Sequence, residues 1–259
     1  MTPLQKKKEQ NPKVQIIKPK TSNRKIRLLL SLISIILYYI INQTDNQLNR
    51  TFLKKGNCVL DRGFKLSKKI NKLYLENKKY NKFSKIIGSL LLDISFLLNL
   101  ISWCLYDKYW SNVISICFFY SIRSIIQSVN RIKIPFEEGY EWKYPNFPSI
   151  CVNYFISNDY FWSGHVGICI ICGFFSYYRK QYILSTFSFF AGFYEAILVL
   201  ESRTHYTIDI PFGFIIGHYT CIISHFWCMN FNYYNFKKIF NCRKKKKNEI
   251  VSEIDIEKE

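Results

Sequence analysis

Residues 201–212 read ESRTHYTIDIPF and open a largely apolar run that continues to residue 227. This stretch places His205 and Asp209 four residues apart, at the point where a polar segment turns apolar. Titratable side chains at the edge of a membrane-spanning segment are costly, so they are candidates for function by default. The stretch therefore predicts both the start of a membrane helix and a functional site at its mouth.

Apolar blocks elsewhere in the chain predict the rest of the fold. Hydrophobic residues make up 49% of the 259 residues and aromatic residues 18%. Several blocks approach the roughly 20 residues that a helix needs to cross a bilayer. We expect an all-α membrane protein with six transmembrane helices and an active site on one face. The predicted spans are 26–41, 86–106, 110–129, 160–178, 182–200 and 207–227.

The charged segments divide the chain into three parts. Residues 1–25 are expected to form a short, disordered, basic cytosolic region, residues 26–227 the membrane domain, and residues 228–259 a charged cytosolic tail. The net charge of +19 is interpreted as basic flanks attracted to anionic lipid, so no nucleic-acid partner is expected. The lysine-rich loop 42–85 would face the lumen, against the positive-inside rule. Within it, DRGFKLSKKINKLYLE (61–76) predicts an amphipathic helix.

The nine cysteines show no spacing typical of a disulfide or zinc framework. Cys169 and Cys172 form a CxxC, but they lie in an apolar run with no histidine cluster nearby, so buried thiols are the favoured interpretation. The sequence has no HExxH motif, no P-loop and no dense cluster of carboxylates. We therefore expect neither a metal nor another cofactor.

Polar residues of several predicted spans should meet in one water layer. The loop after the third span and the loop after the fifth span open on the same side of the membrane, whatever the orientation of the chain. The polar groups at that side are Arg123, Asp159, Ser163, Gly164, His165, Arg203, His205 and Asp209.

These residue types in this pattern favour phosphoryl-group chemistry without a metal. If a helix starts near Thr204, His205 and Asp209 share one face, and the aspartate can hold the imidazole in one tautomer. Gly164 at a helix N-terminus lets backbone N–H groups approach an anion beside His165. Arginines donate charge-assisted hydrogen bonds to phosphate oxygens.

The motifs resemble a known family. NDYFWSGHVG (158–167), followed by HYTIDIPFGF (205–214), resembles the lipid phosphotransferase branch of the type 2 phosphatidic acid phosphatase superfamily. That branch includes sphingomyelin synthases, whose pattern has an aspartate four residues before the serine, as Asp159 is here. It also includes plant phosphatidylcholine:diacylglycerol cholinephosphotransferases, which have an arginine two residues before the second histidine, as Arg203 is here. The resemblance covers about residues 86–219.

The resemblance implies a mechanism. His205, oriented by Asp209, would attack the phosphorus of a phospholipid head group and form a phosphohistidine. His165 would protonate the departing lipid alcohol and then act as base on the hydroxyl of the acceptor lipid. Arg123, Asp159, Ser163, Gly164, Arg203 and Tyr206 are the candidate substrate-binding residues. The expected partners are a phospholipid donor, a lipid alcohol acceptor and the bilayer itself.

The head group and the acceptor stay open. The loop 135–160 is rich in aromatic residues and carries Glu137, Glu138 and Glu141, which could cage choline or form an interfacial aromatic belt. Phosphoethanolamine is the other head group, and diacylglycerol and ceramide are the candidate acceptors. We expect residence in the endoplasmic reticulum, with the Golgi and the plasma membrane as alternatives.

Two other functions compete with transfer. A lipid phosphate phosphatase would use the same residues with water as acceptor, but the phosphatases of the superfamily carry an arginine where this chain has Val199. A non-catalytic membrane scaffold should have lost a catalytic group, whereas His165, His205 and Asp209 are all present.

Overall fold

The computed structural model describes residues 27–29, 31–33, 36, 59–107, 109–129, 132, 135, 139–154 and 160–230. The described part of the chain is helical and contains no β-strand. The predicted first span lies mostly outside the described residues, as do both termini. The helices are α1 (Arg62–Leu66), α2 (Lys68–Glu76), α3 (Lys78–Tyr106), α4 (Ser111–Val129), α5 (Gly164–Tyr178), α6 (Tyr182–Glu201) and α7 (Asp209–Asn230).

Helix boundaries follow the capping residues more closely than the apolar pattern. α3 begins eight residues before the predicted start because the side chain of Asn77 accepts a hydrogen bond from Tyr80 N at 3.0 Å. α5 begins at Gly164 rather than at residue 160, because Ser163 caps it. The predicted bounds of the α4 and α6 spans are within one residue of those observed.

α5 is the central helix. It packs against α3, α4, α6 and α7, whereas α6 and α7 make at most marginal contact with each other. Eleven of its 15 residues are buried. The apolar pattern of α5 is therefore that of a helix surrounded by protein on most sides.

Among the described residues, two helices are long and apolar enough to cross a membrane: α3 and α6. α5 is apolar but has only 15 residues. The sequence predicted six spans, and the described helices account for fewer than that. Large apolar side chains point outward from α6, among them Ile183 (90% exposed) and Phe193 (66%), as expected for helices in contact with lipid.

The predicted amphipathic helix in residues 61–76 is confirmed, but as two short helices. Asp61 caps α1 by accepting a hydrogen bond from Gly63 N at 2.8 Å. α2 buries Asn71 and Tyr74 and exposes Ile70 and other apolar residues. Asn71 Nδ2 donates to the backbone oxygen of Glu201 at 2.6 Å, so this pair of helices is docked on the C-terminal end of α6.

A polar cluster closes the opposite end of the helices. Arg179, which caps α5, donates to Asp107 Oδ2 at 2.8 Å and to Gln181 Oε1 at 3.2 Å. Arg27 Nη1 donates to Trp103 O at 3.3 Å, which places the described start of the first segment at this same end. Burial raises the pKa of Asp107, against the opposing effect of Arg179.

Candidate active site

His205 and Asp209 form a buried pair. His205 Nδ1 lies 3.1 Å from Asp209 Oδ2, and each side chain is 2% exposed. The same carboxylate oxygen accepts a hydrogen bond from Tyr206 N at 3.1 Å. Because Asp209 occupies Nδ1, the imidazole turns its Nε2 away from the pair.

The two residues do not share one helix, whereas the sequence analysis placed both on one helical face if a helix started near Thr204. α7 begins at Asp209, and residues 202–208 form turns between α6 and α7. A helix that starts near Thr204 does not form, because Arg203 has φ 58°, a left-handed conformation that ends α6 and redirects the chain; the predicted span 207–227 starts within two residues of α7. The contact at a separation of four residues forms because the chain folds back onto the first turn of α7.

Arg203 joins this turn to α1. Its guanidinium is 4.2 Å from the centre of the Phe64 ring and donates to Phe64 O and Ser67 Oγ, both at 2.7 Å. The residue is 2% exposed. These bonds to a charged group offset the cost of the left-handed backbone and hold α1 over the site.

The N-terminus of α5 carries the second motif. Ser163 Oγ accepts a hydrogen bond from Val166 N at 3.4 Å, and its own N–H donates to Asp209 O at 2.9 Å. A Cβ placed on Gly164 would lie 3.3 Å from Arg123 Cζ. The guanidinium of Arg123 therefore lies against the glycine, where it adds its charge to the positive end of the helix.

The two histidines face each other across this junction. The ring centroids of His165 and His205 are 6.1 Å apart and the rings are nearly perpendicular. Gly213 of α7 permits the close approach, because a Cβ there would lie 2.7 Å from Ser163 O. Both motifs, which are some forty residues apart in the sequence, thus meet at one point.

Aromatic rings form the walls around the histidines. Tyr160 lies 6.1 Å from His205 and 5.3 Å from Tyr206, between ring centroids. Tyr206 is buried and stacks on Phe64 at 5.5 Å. On the other side, Trp142 lies 6.0 Å from His165. These rings limit the access of water to the site.

An ammonium group of the protein itself, that of Lys85, lies against Trp142 of the loop 135–160. Lys85 Nζ lies 5.9 Å from the Trp142 ring centroid and 3.5 Å from Glu141 Oε1. Tyr154 stacks on Trp142 at 4.9 Å, and burial raises the pKa of Tyr154, which keeps its phenol neutral. A choline cage formed by these particular rings would therefore have to accommodate Lys85. Glu137 and Glu138 lie outside the described residues.

The structure brings together most of the predicted site and leaves one residue undescribed. Asp159 lies outside the described part of the chain. The others gather around the N-termini of α5 and α7: Arg123, Ser163, Gly164, His165, Arg203, His205, Tyr206 and Asp209. Among the described residues, no group of three or more His, Cys, Asp or Glu side chains is placed to hold a metal ion. Cys169 and Cys172 are buried free thiols.

Residues of the α1–α2 segment complete the site, and sequence reasoning missed them. Besides the bonds to Arg203, Asp61 Oδ2 accepts a hydrogen bond from Thr207 N at 2.6 Å, inside the HYTID motif. The amphipathic pattern located the helices but carried no signal of where they dock. A capping aspartate keeps one carboxylate oxygen for a further partner, and the sequence does not say which.

Comparison with known proteins gives the family of the chain. The model of the family described as AtPDCT1/2 matches residues 60–225, which is more than half of the chain. The chain belongs to this family, whose name denotes lipid-modifying enzymes of the phosphatidylcholine:diacylglycerol cholinephosphotransferase type. The match begins before α1, so the docked α1–α2 segment belongs to the family region, beyond the range of about 86–219 predicted from the motifs. No curated protein and no solved structure matches the chain.

Proposed function

We propose that the protein transfers a phospholipid head group, phosphocholine or phosphoethanolamine, to diacylglycerol or ceramide. The observation that carries the proposal is the His205–Asp209 pair, which faces His165 beside the N-terminus of α5 and the guanidinium of Arg123. An oriented imidazole, a second imidazole and a positive anion site are what a metal-independent phosphoryl transfer requires. Membership of a lipid-enzyme family supports the lipid substrate.

In the first proposed half-reaction His205 is the nucleophile. Its Nε2 forms a bond to phosphorus while the bond from phosphorus to the oxygen of the donor's lipid alcohol breaks. His165 gives a proton to that oxygen, so a neutral alcohol departs and the head group stays on His205 as a phosphohistidine. The carboxylate of Asp209, 3.1 Å from Nδ1, stabilises the positive charge that the ring acquires.

The second proposed half-reaction reverses the roles. The hydroxyl of the acceptor lipid attacks phosphorus, His165 takes its proton, and the bond between phosphorus and His205 breaks. Each proton transfer of this kind contributes typically about 10²–10⁴-fold to the rate. The new lipid and the free His205 complete the cycle with no metal and no other cofactor.

The phosphate is proposed to lie at the N-terminus of α5. Arg123 and the backbone N–H of Gly164, the first residue of the helix, offer donors and positive charge to its oxygens. Arg203 and Tyr206, which flank His205 in the sequence, are proposed to bind substrate as well, and Asp159 is proposed as a further substrate-binding residue. For Arg203 this would be a second role beside its hold on α1.

We further propose that the helices lie in an endomembrane, that of the endoplasmic reticulum first, with six spans in total. Two apolar helices of sufficient length and the outward-facing apolar residues support contact with lipid. The site and the α1–α2 segment lie at one end of the helices, and the Arg179 cluster at the other. The site would then lie where the phosphodiester of a bilayer lipid lies, at the membrane surface.

Transfer of a labelled head group tests the proposal. Full-length protein in liposomes would receive phosphatidylcholine labelled in choline, with diacylglycerol or ceramide of distinguishable acyl chains. We expect label in a new lipid that carries the acceptor's chains, and its loss with His205→Ala. Repeating the assay with labelled phosphatidylethanolamine identifies the head group. Release of water-soluble phosphate from phosphatidic acid would favour the phosphatase, and inactivity with all substrates would favour the scaffold.

A further inference from the structure

An apolar groove lies next to the proposed catalytic residues, and its lining includes the sequence neighbours of two of them, Val166 and Ile210. It encloses about 660 Å³ between α5, α6 and α7, within the range of small-molecule sites in proteins. Its upper end is lined by Val166, which follows His165, and by Pro211, two residues after Asp209. The groove exists because α6 and α7 both pack on α5 and diverge from each other.

The groove runs along one face of α5 and narrows toward its lower end. Val166, Ile170, Phe174 and Tyr177 recur at helical spacing on this face. At the bottom Phe174 packs edge-to-face against Phe189 of α6, with ring centroids 5.2 Å apart. From the α6 side, the small side chain of Ala196 lines the groove. Gly192 lets α6 approach α5 closely, because a Cβ there would lie 3.1 Å from Cys169 Cβ.

The length of the groove fits one lipid chain. Eight residues separate Val166 from Phe174, where the groove narrows, which at about 1.5 Å per residue spans about 12 Å. The hydrocarbon core of a bilayer is about 30 Å thick, so this part of the groove covers most of the depth of one leaflet. Phe193 and Phe214, 66% and 46% exposed, lie at its outer edges, and the groove is open sideways to the bilayer.

We infer that this groove holds one acyl chain of the phospholipid donor, with the phosphodiester at His165 and His205 and the terminal methyl group at Phe174 and Phe189. The inference rests on the proposed function for the identity of the lipid. A chain in this groove would fix the donor's depth and so place its phosphorus beside His205. Phe189, where the groove narrows, would then limit the length of the chain that fits.

Competition between donors of different length tests the groove. Full-length protein in nanodiscs would receive equal amounts of a shorter and a longer phosphatidylcholine with distinct isotopic labels. Phe189→Ala lengthens the pocket, and even one methylene group in an apolar pocket changes the preference between substrates. The ratio of long-chain to short-chain use should therefore rise by about three- to ten-fold. Phe190→Ala is the matched control, because it is the next residue on α6, 56% exposed and outside the groove. Equal ratios for both variants and the wild type would overturn the inference while transfer itself stands.

A cross-linking experiment keeps the inference testable without catalysis. Phosphatidylcholine with a photoactivatable group near the end of one chain would be added to the intact, inactive His205→Ala protein. We expect adducts concentrated at Phe174, Tyr177 and Phe189, and their loss when Ala196→Phe narrows the upper groove. Adducts spread evenly over the exposed faces of α3 and α6 would mean that lipid only surrounds the protein, and would overturn the inference. If the wild-type protein transfers no head group but the adducts are still specific to the groove, the proposed function alone is refuted.

Discussion

Replacing Asp209 with asparagine changes one property of the site, the negative charge beside His205. The carboxylate oxygen that lies 3.1 Å from His205 Nδ1 also accepts the hydrogen bond from Tyr206 N. Because both neighbours donate to that atom, the asparagine should turn its carbonyl oxygen toward them and keep both hydrogen bonds. The geometry of the turn would then survive, and the charge would be lost.

The size of the effect follows from the geometry. When the proposed phosphohistidine forms, the ring of His205 becomes positive about 4 Å from the centre of the carboxylate. Two unit charges at that distance attract by about 4 kcal/mol at an effective dielectric constant of about 20. Since about 1.4 kcal/mol corresponds to a factor of ten, the first half-reaction should slow by about 10³-fold.

The assay is the initial rate of head-group transfer in proteoliposomes, normalised to folded protein. Asp107→Asn is the matched control, because Asp107 also pairs with a positive side chain, Arg179, but at the opposite end of the helices. Its rate per folded molecule should be unchanged. A fall of less than about ten-fold for Asp209→Asn, or an equal fall for both variants, would refute the electrostatic role of Asp209.

Three further substitutions test other parts of the structure. Arg203→Ala removes two hydrogen bonds from a charged group to α1, about 3–5 kcal/mol together, so trypsin should cut residues 62–76 faster; unchanged cleavage would contradict the docking. Arg179→Ala leaves the half-buried Asp107 without its partner at 2.8 Å and should lower the thermal midpoint, with a cost of about 1–3 kcal/mol, while the rate per folded molecule is kept. Glu195 is fully buried, and neither carboxylate oxygen has a hydrogen-bond partner among the described residues. Glu195→Met should therefore raise the midpoint, and a lower midpoint would reveal a stabilising partner.

The sequence predicts where the helices lie better than it predicts which segments they pack against. Runs of apolar residues located α4 and α6 almost to the residue, because membrane-length helices are encoded locally in composition. The start of α3 was placed too late, since its first residues are polar and only the cap at Asn77 marks them. The number of spans could not be settled in the same way, because only α3 and α6 of the described helices meet both the length and the composition conditions.

For the site, the motifs predicted which polar groups meet but not what supports them. The structure brings His165, His205 and Asp209 together, and their catalytic roles stay a proposal. The turn that sets the His205–Asp209 contact could not be predicted, since it depends on the left-handed Arg203, which α1 stabilises from about 140 residues away in the sequence. Lys85 beneath Trp142 was missed for the same reason: such contacts between distant segments leave no local periodicity.

The central claim is that the head group passes through a covalent intermediate on His205. The direct measurement uses phosphatidylcholine labelled at phosphorus, mixed with the protein in liposomes that lack added acceptor, then quenched within the first turnover and separated from lipid. We predict an acid-labile label on the peptide that contains residue 205, discharged by diacylglycerol or ceramide and absent with His205→Ala. Transfer of label to the acceptor at the full rate, with no label ever found on the protein, would contradict the account.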